Sequence, residues 1–141
     1  MLENDGWLQW LRRRRLERRL IHWFASQPLP PIAFSDVTVS ATPPSGAPIH
    51  ANMFFEVVHR GKSRWVIFVC PCGCGSVITL SLQRSHAPRW VLEKTANNRP
   101  SLLPSVWRTT GCQSHFWVHD GRVYWCGSDE PSHDIQDAND E

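Results

Sequence analysis

No stretch of this 141-residue chain approaches the roughly 20 consecutive apolar residues of a membrane-spanning helix. Nor does it carry a convincing secretory leader. Arg12 to Arg19 can pose as a basic start, but the apolar run after it, Leu20 to Ala25, is short and interrupted by His22. Acidic residues are scarce through the middle: residues 25–128 hold only Asp36, Glu56, Glu93 and Asp120. The H-E-x-x-H motif of hydrolytic zinc and the H-x-E…P-C-x-x-C pattern of zinc deaminases are both missing. These absences exclude a helical membrane protein and the commonest metallohydrolase designs. They also lead us to expect a cytoplasmic protein in a reducing compartment.

What is present is cysteine in an unusual arrangement. Cys70-Pro71-Cys72-Gly73-Cys74-Gly75 is answered about forty residues later by Cys112-Gln113-Ser114-His115. Three cysteines in five residues beside Gly and Pro make a poor core, although lone thiols are often buried. The odd count of five and the close C-x-C spacing also fit a disulfide framework badly. Thiolate and imidazole are the usual donors to tetrahedral zinc. We therefore expect a Zn²⁺ site drawn from Cys70, Cys72, Cys74, Cys112 and His115, five candidates for four corners. A closed, thiolate-rich site is structural, whereas an active one keeps a corner open for water. The structural reading is preferred because no carboxylate base accompanies the cluster.

Charge is segregated along the chain. Residues 1–24 carry six Arg against three acids, residues 25–128 nine Lys or Arg against four acids, and residues 129–141 six acids with no Lys or Arg. The acidic tail, 128–141, has almost no apolar content and is expected to be disordered. At the other end, Trp7 to Phe24 combines strong helix formers with six Arg and no Pro or Gly, predicting an α-helix over about 1–25. Arg beside Trp10 and Trp23 raises nucleic-acid binding through residues 10–24 as one use. The helical wheel argues for protein docking instead: Trp7, Leu8, Trp10 and Leu11 fall on one side, and Leu16, Leu20, Trp23 and Phe24 nearly opposite.

Residues 26–52 are Pro-rich and read as a linker or irregular lead-in, with one short strand at Asp36–Ser40. From 53 to 127 the signals are β. Runs at Met53–Val58, Arg64–Val69, Ser76–Leu82 and Trp90–Lys94 are followed by an extended 101–107 segment broken by Pro104. His115–Val118 and Val123–Trp125 flank an Asp-Gly turn, a strong hairpin signal. The expected fold is mainly β: a small antiparallel zinc-stapled domain with an N-terminal α-helix and an acidic tail. Nucleophile–base combinations are also present in principle. Ser114 adjoins His115, Ser105 follows Pro104, and His86 or His119 could act as base with Asp120 orienting it.

The knuckle Cys70–Gly75, then Trp90, Ser101-Leu102-Leu103-Pro104-Ser105, Cys112-Gln113-Ser114-His115-Phe116-Trp117-Val118 and Gly121-Arg122-Val123 together resemble a bacterial family of small zinc-binding-like proteins. That family carries a C-x-C-G-C-G knuckle and a C-x-S-H-[FY]-W-[IV] hairpin, and the likeness spans about residues 50 to 127. Its members often lie beside genes for ubiquitin-like proteins and their conjugating and deconjugating enzymes. The resemblance implies metal positions at Cys70, Cys72, Cys74, Cys112 and His115, and leaves Cys126 outside the pattern. It also implies a place in a ubiquitin-like conjugation or defence system. The function expected from all of this is a zinc-stabilised, protein-binding accessory module. The rival is a zinc-dependent peptidase or hydrolase that processes a ubiquitin-like modifier.

Overall fold

The computed structural model describes residues 18–45 and 48–127. The chain divides into two units, Met1–Leu29 with Cys126–Glu141, and Pro30–Trp125. In the first unit the described part is helical over 18–26, with Leu20, Trp23 and Phe24 buried and Arg18 and Arg19 exposed. Trp23 is thus not presented to solvent as a stacking surface for a nucleic-acid base. The rest of the expected Arg-rich helix and the acidic tail from 128 onward lie outside the described residues. No helix among the described residues is long and apolar enough to cross a membrane.

The described residues of the second unit form nine strands. Four form one sheet in the order β1 (Thr38–Ser40), β2 (Phe54–His59), β3 (Lys62–Val69) and β4 (Val77–Ser81). Pairs β2–β3 and β3–β4 are antiparallel, as the alternating runs predict, while β1 joins β2 in parallel. The β2–β3 turn is tighter than the expected 59–63. Arg60 and Gly61 both adopt positive φ, 54° and 74°, which is a two-residue turn matched to strand twist, so β3 starts at Lys62. β5 (Val91–Lys94) pairs with β6 (Pro100–Leu103), and β7 (Val106–Trp107), β8 (His115–His119) and β9 (Arg122–Trp125) make an antiparallel three-stranded sheet. The Asp-Gly turn closes β8 and β9 as expected, with Asp120 and Gly121 at φ 50° and 70°.

The core lies between these sheets and is aromatic. Phe34, Phe54, Phe68 and Phe116 are fully buried. Phe54 and Phe68, opposite one another on β2 and β3, stack at 5.1 Å, and Phe34 meets both edge-on at 5.3 and 5.5 Å. Phe34 comes from the Pro-rich stretch. It is held there because Ala33 and Phe34 N–H groups both donate to the Gly121 carbonyl, at 2.8 and 2.9 Å, and Ile32 bridges Arg122. The one buried carboxylate among the described residues is Glu56. It accepts from Lys94 Nζ at 2.7 Å and from the Ser63 hydroxyl, so a sheet ion pair satisfies it and it is not presented for chemistry.

Candidate functional site: a thiolate cluster beside a Ser–His pair

β3 delivers Cys70 into the edge of the core, where it is fully buried. Its N–H donates to the Ser76 carbonyl at 2.8 Å, closing the 70–76 knuckle that joins β3 to β4. Gly73 and Gly75, at φ 92° and 81°, supply the reversals that turn Cys72 and Cys74 back toward Cys70. Cys112 arrives from the β7–β8 loop. The four Sγ atoms lie within 4.8 Å of one another, with Cys70 to Cys72 at 3.4 Å and Cys70 to Cys112 at 3.8 Å. A tetrahedral centre with Zn–S bonds of about 2.3 Å needs its sulfurs about 3.8 Å apart. The donor set therefore fits a closed four-thiolate metal site.

Burial and hydrogen bonding act oppositely on Cys70 and on Cys74 and Cys112. Burial pushes Cys70 up to about 11. The Ser76 backbone N–H, followed by its hydroxyl, pulls Cys74 down to about 6, and the Ser114 hydroxyl, 3.2 Å from the sulfur, lowers Cys112. Cys74 is thus poised as a thiolate, and a cation at the centre offsets the cost of ionising the buried Cys70. Ser114, considered above as a nucleophile, is occupied as a donor to this cluster.

His115, the fifth candidate ligand, is not among the clustered donors. Its Nε2 sits 2.9 Å from Ser105 Oγ. The physical reason is strand pairing. Cys112 is still in the loop, whereas His115 opens β8 directly opposite Trp107 of β7, and Ser105 immediately precedes β7. Trp107 stacks on the imidazole, ring centroids 5.3 Å apart and planes at 22°. Ser105 is itself fixed from several directions. Trp90 Nε1 donates to its carbonyl at 3.2 Å, and β6, which leads into it, is anchored to the β8–β9 turn by Gly121 N–H to Pro100 O and Asp120 N–H to Ser101 Oγ, both 2.8 Å. Ser105, just before β7, and His115, at the start of β8, are thus held together by backbone hydrogen bonds and aromatic rings.

A second Ser–His pair, Ser81 Oγ and His86 Nδ1 at 2.7 Å, differs in kind. Its members lie five residues apart in one turn, and Ser81 Oγ also accepts the Gln83 N–H at 3.1 Å, as a turn-capping hydroxyl does. His86 is thus bonded within its own turn. The His119–Asp120 combination is partnered differently. His119 is substantially buried beside Tyr124, its pKa lowered by that burial, and Asp120 pairs with Arg99 at 3.6 Å. Cys126 lies outside the sulfur cluster. The pairing that sequence reasoning missed, Ser105 with His115, was hidden by the C-x-x-H spacing, which offered His115 as one of five candidate metal ligands. The available signal was the placement of Ser105 and His115 at the starts of two short consecutive extended runs, 105–107 and 115–118.

No curated protein and no solved structure matches the chain. The family model for the bacterial ubiquitination-like system serine protease (BubE) matches residues 40–126, a span that holds both the four-cysteine cluster and the Ser105–His115 pair. With more than half its length covered by that model, the chain belongs to the BubE family of bacterial ubiquitination-like system serine proteases.

Proposed function

We propose that this chain is a serine hydrolase that cleaves acyl bonds of polypeptides in a bacterial ubiquitin-like conjugation system, with Ser105 as nucleophile and His115 as its base. The observation that carries the reading is the 2.9 Å contact between Ser105 Oγ, just before β7, and His115 Nε2 on β8, inside a family described by serine protease chemistry. With Nε2 unprotonated, His115 accepts the Ser105 hydroxyl proton as Oγ attacks the substrate carbonyl carbon. The tetrahedral adduct collapses to a Ser105 ester, and His115 returns the proton to the departing amine. Water, deprotonated by the same nitrogen, then releases the acid and restores the hydroxyl. Trp107, stacked on the ring, holds its orientation and favours the transient imidazolium by a cation–π contact.

Zn²⁺ is the ion we assign to Cys70, Cys72, Cys74 and Cys112, where it supplies cross-linking rather than Lewis acidity, because four thiolates leave no corner for water. Its ligand Cys112 lies three residues before His115, so the same staple that ties the knuckle to the β7–β8 loop sets the start of β8. A four-thiolate metal site suits a reducing compartment, which we take to be the cytoplasm. A protein-binding accessory role is the second reading, and it is favoured by the enclosure of Ser105, only 2% exposed.

A fluorophosphonate probe separates the two. The full chain should be phosphonylated at Ser105, as mapped by tandem mass spectrometry, and Ser105→Ala and His115→Ala should both lose the label. An unmodified Ser105 in zinc-loaded, folded protein would leave the binding role standing.

A further inference from the structure

β7 is the outer strand of its sheet, and no strand pairs with its other side among the described residues. Register shows which of its backbone groups face outward. Arg108 N–H donates to the Ser114 carbonyl at 2.8 Å, so that opposed pair is hydrogen-bonded, and Trp107 opposite His115 is then the non-hydrogen-bonded pair. The Trp107 N–H and C=O consequently point away from β8. The Ser105 carbonyl, two residues earlier with the same parity, also points away, where it meets Trp90 Nε1. The unpaired edge is thus presented by Trp107, two residues past Ser105.

Two further observations mark this edge. Trp107 remains 55% exposed although one of its faces lies on His115, leaving an aromatic surface open beside the Ser–His pair. Next along the strand, Arg108 keeps Nη1 buried with no hydrogen-bond partner among the described residues. A buried guanidinium donor without an acceptor is uncommon, and an incoming carbonyl or carboxylate satisfies it.

Resting on the serine-hydrolase reading, we infer that the substrate is an extended polypeptide segment that adds to β7 as a further strand, pairing its backbone with the Trp107 N–H and C=O. Strand addition at a sheet edge takes its affinity from main-chain hydrogen bonds and its selectivity from alternate side chains. A chain laid at the usual strand spacing of about 4.8 Å from β7 runs past Trp107, two residues from Ser105, so a backbone carbonyl is the group it brings toward the serine. The side chain facing the Trp107 side packs on the exposed indole. The substrate class is therefore a flexible tail or linker able to become a strand, not a bond within a rigid folded loop.

The test uses the full zinc-loaded chain and peptides from a trypsin-digested bacterial proteome as the probe. A peptide that is cleaved is resynthesised with single backbone N-methyl groups along its length. Strand addition predicts that N-methylation of the one substrate amide that donates to the Trp107 carbonyl lowers kcat/KM by tenfold or more, while methyl groups on the two adjacent amides, whose N–H groups face away from β7, cost less than about threefold. Cleavage with no single amide standing out from its two neighbours overturns strand addition and leaves the serine-hydrolase reading intact. Fluorophosphonate labelling of Ser105 without cleavage of any extended peptide also overturns it. Loss of Ser105 labelling itself would instead remove the reading on which it rests.

Discussion

Trp90→Phe tests how much of the site depends on its surroundings. Trp90 makes two bonds: its N–H donates to the Ser81 carbonyl at 2.8 Å, and its indole Nε1–H to the Ser105 carbonyl at 3.2 Å. Phe keeps the first and most of the ring packing and removes the second. One lost hydrogen bond is worth about 0.5–1.5 kcal/mol net, and leaving the carbonyl of buried Ser105 without its donor costs about 1–3 kcal/mol. The total should be about 1–2 kcal/mol, a fall of roughly 4–16 °C in Tm for a unit of this size. Chemistry is less forgiving. The Ser105 Oγ to His115 Nε2 contact depends on where the Ser105 backbone sits, and a displacement of about 1 Å in a reacting group costs on the order of 100-fold. Thermal melts and the fluorophosphonate labelling rate, measured well below the transition, should therefore diverge, with labelling falling more than tenfold against the small Tm shift. A labelling rate within twofold of wild type, in a variant whose Tm has fallen as expected, would refute a positioning role for Trp90.

Other outcomes follow from the same structure. Protein prepared without added metal should hold one zinc per chain, and Cys112→Ser should lose both the metal and the folded circular dichroism signature. Structural zinc contributes about 10–16 kcal/mol of apparent binding energy, which equals or exceeds the whole stability of a typical small domain. Gly121→Ala places a Cβ 2.2 Å from the Phe34 carbonyl oxygen at φ +70°, and denaturant unfolding should show a loss of about 3 kcal/mol or more. Gly111→Ala, at φ +68° but facing open space, should cost only the backbone strain of about 1–2 kcal/mol. His119 has its folded pKa lowered from the ordinary 6.5 by burial. The unfolded chain then binds the extra proton first, so this residue's contribution is neutral above that value and becomes destabilising as pH falls below it. The difference in unfolding free energy between wild type and His119→Asn should accordingly change with pH only below about 6.5, with a slope of at most one proton.

The strands were legible wherever local rules agree with burial. Phe54, Phe68 and Phe116 sit in alternating runs, and Asp120-Gly121 takes the turn its composition demands. The thiolate knuckle was legible for the same reason, because its four sulfurs come from two short segments whose spacing already encodes convergence. Phe34 was not legible, since a Pro-rich stretch has no periodicity and its place in the core is set by the distant Gly121 carbonyl. The parallel β1–β2 pair was hidden similarly, by three residues too short to carry a pattern. His115 was ambiguous in a more instructive way. Imidazole serves both zinc and serine chemistry, and only the pairing of a two-residue strand, Val106–Trp107, with β8 decides which partner it reaches.

The central claim, that Ser105 and His115 work as one unit, is tested most directly by kcat/KM for Ser105→Ala, His115→Ala and the double variant, on a peptide the wild-type protein cleaves, with zinc content measured alongside. Groups that act together are strongly non-additive, so each single variant should lose nearly all of the activity and the double should lose no more, while zinc stays at one per chain. Substantial cleavage by Ser105→Ala, or activity that tracks zinc content and ignores both substitutions, would contradict the account.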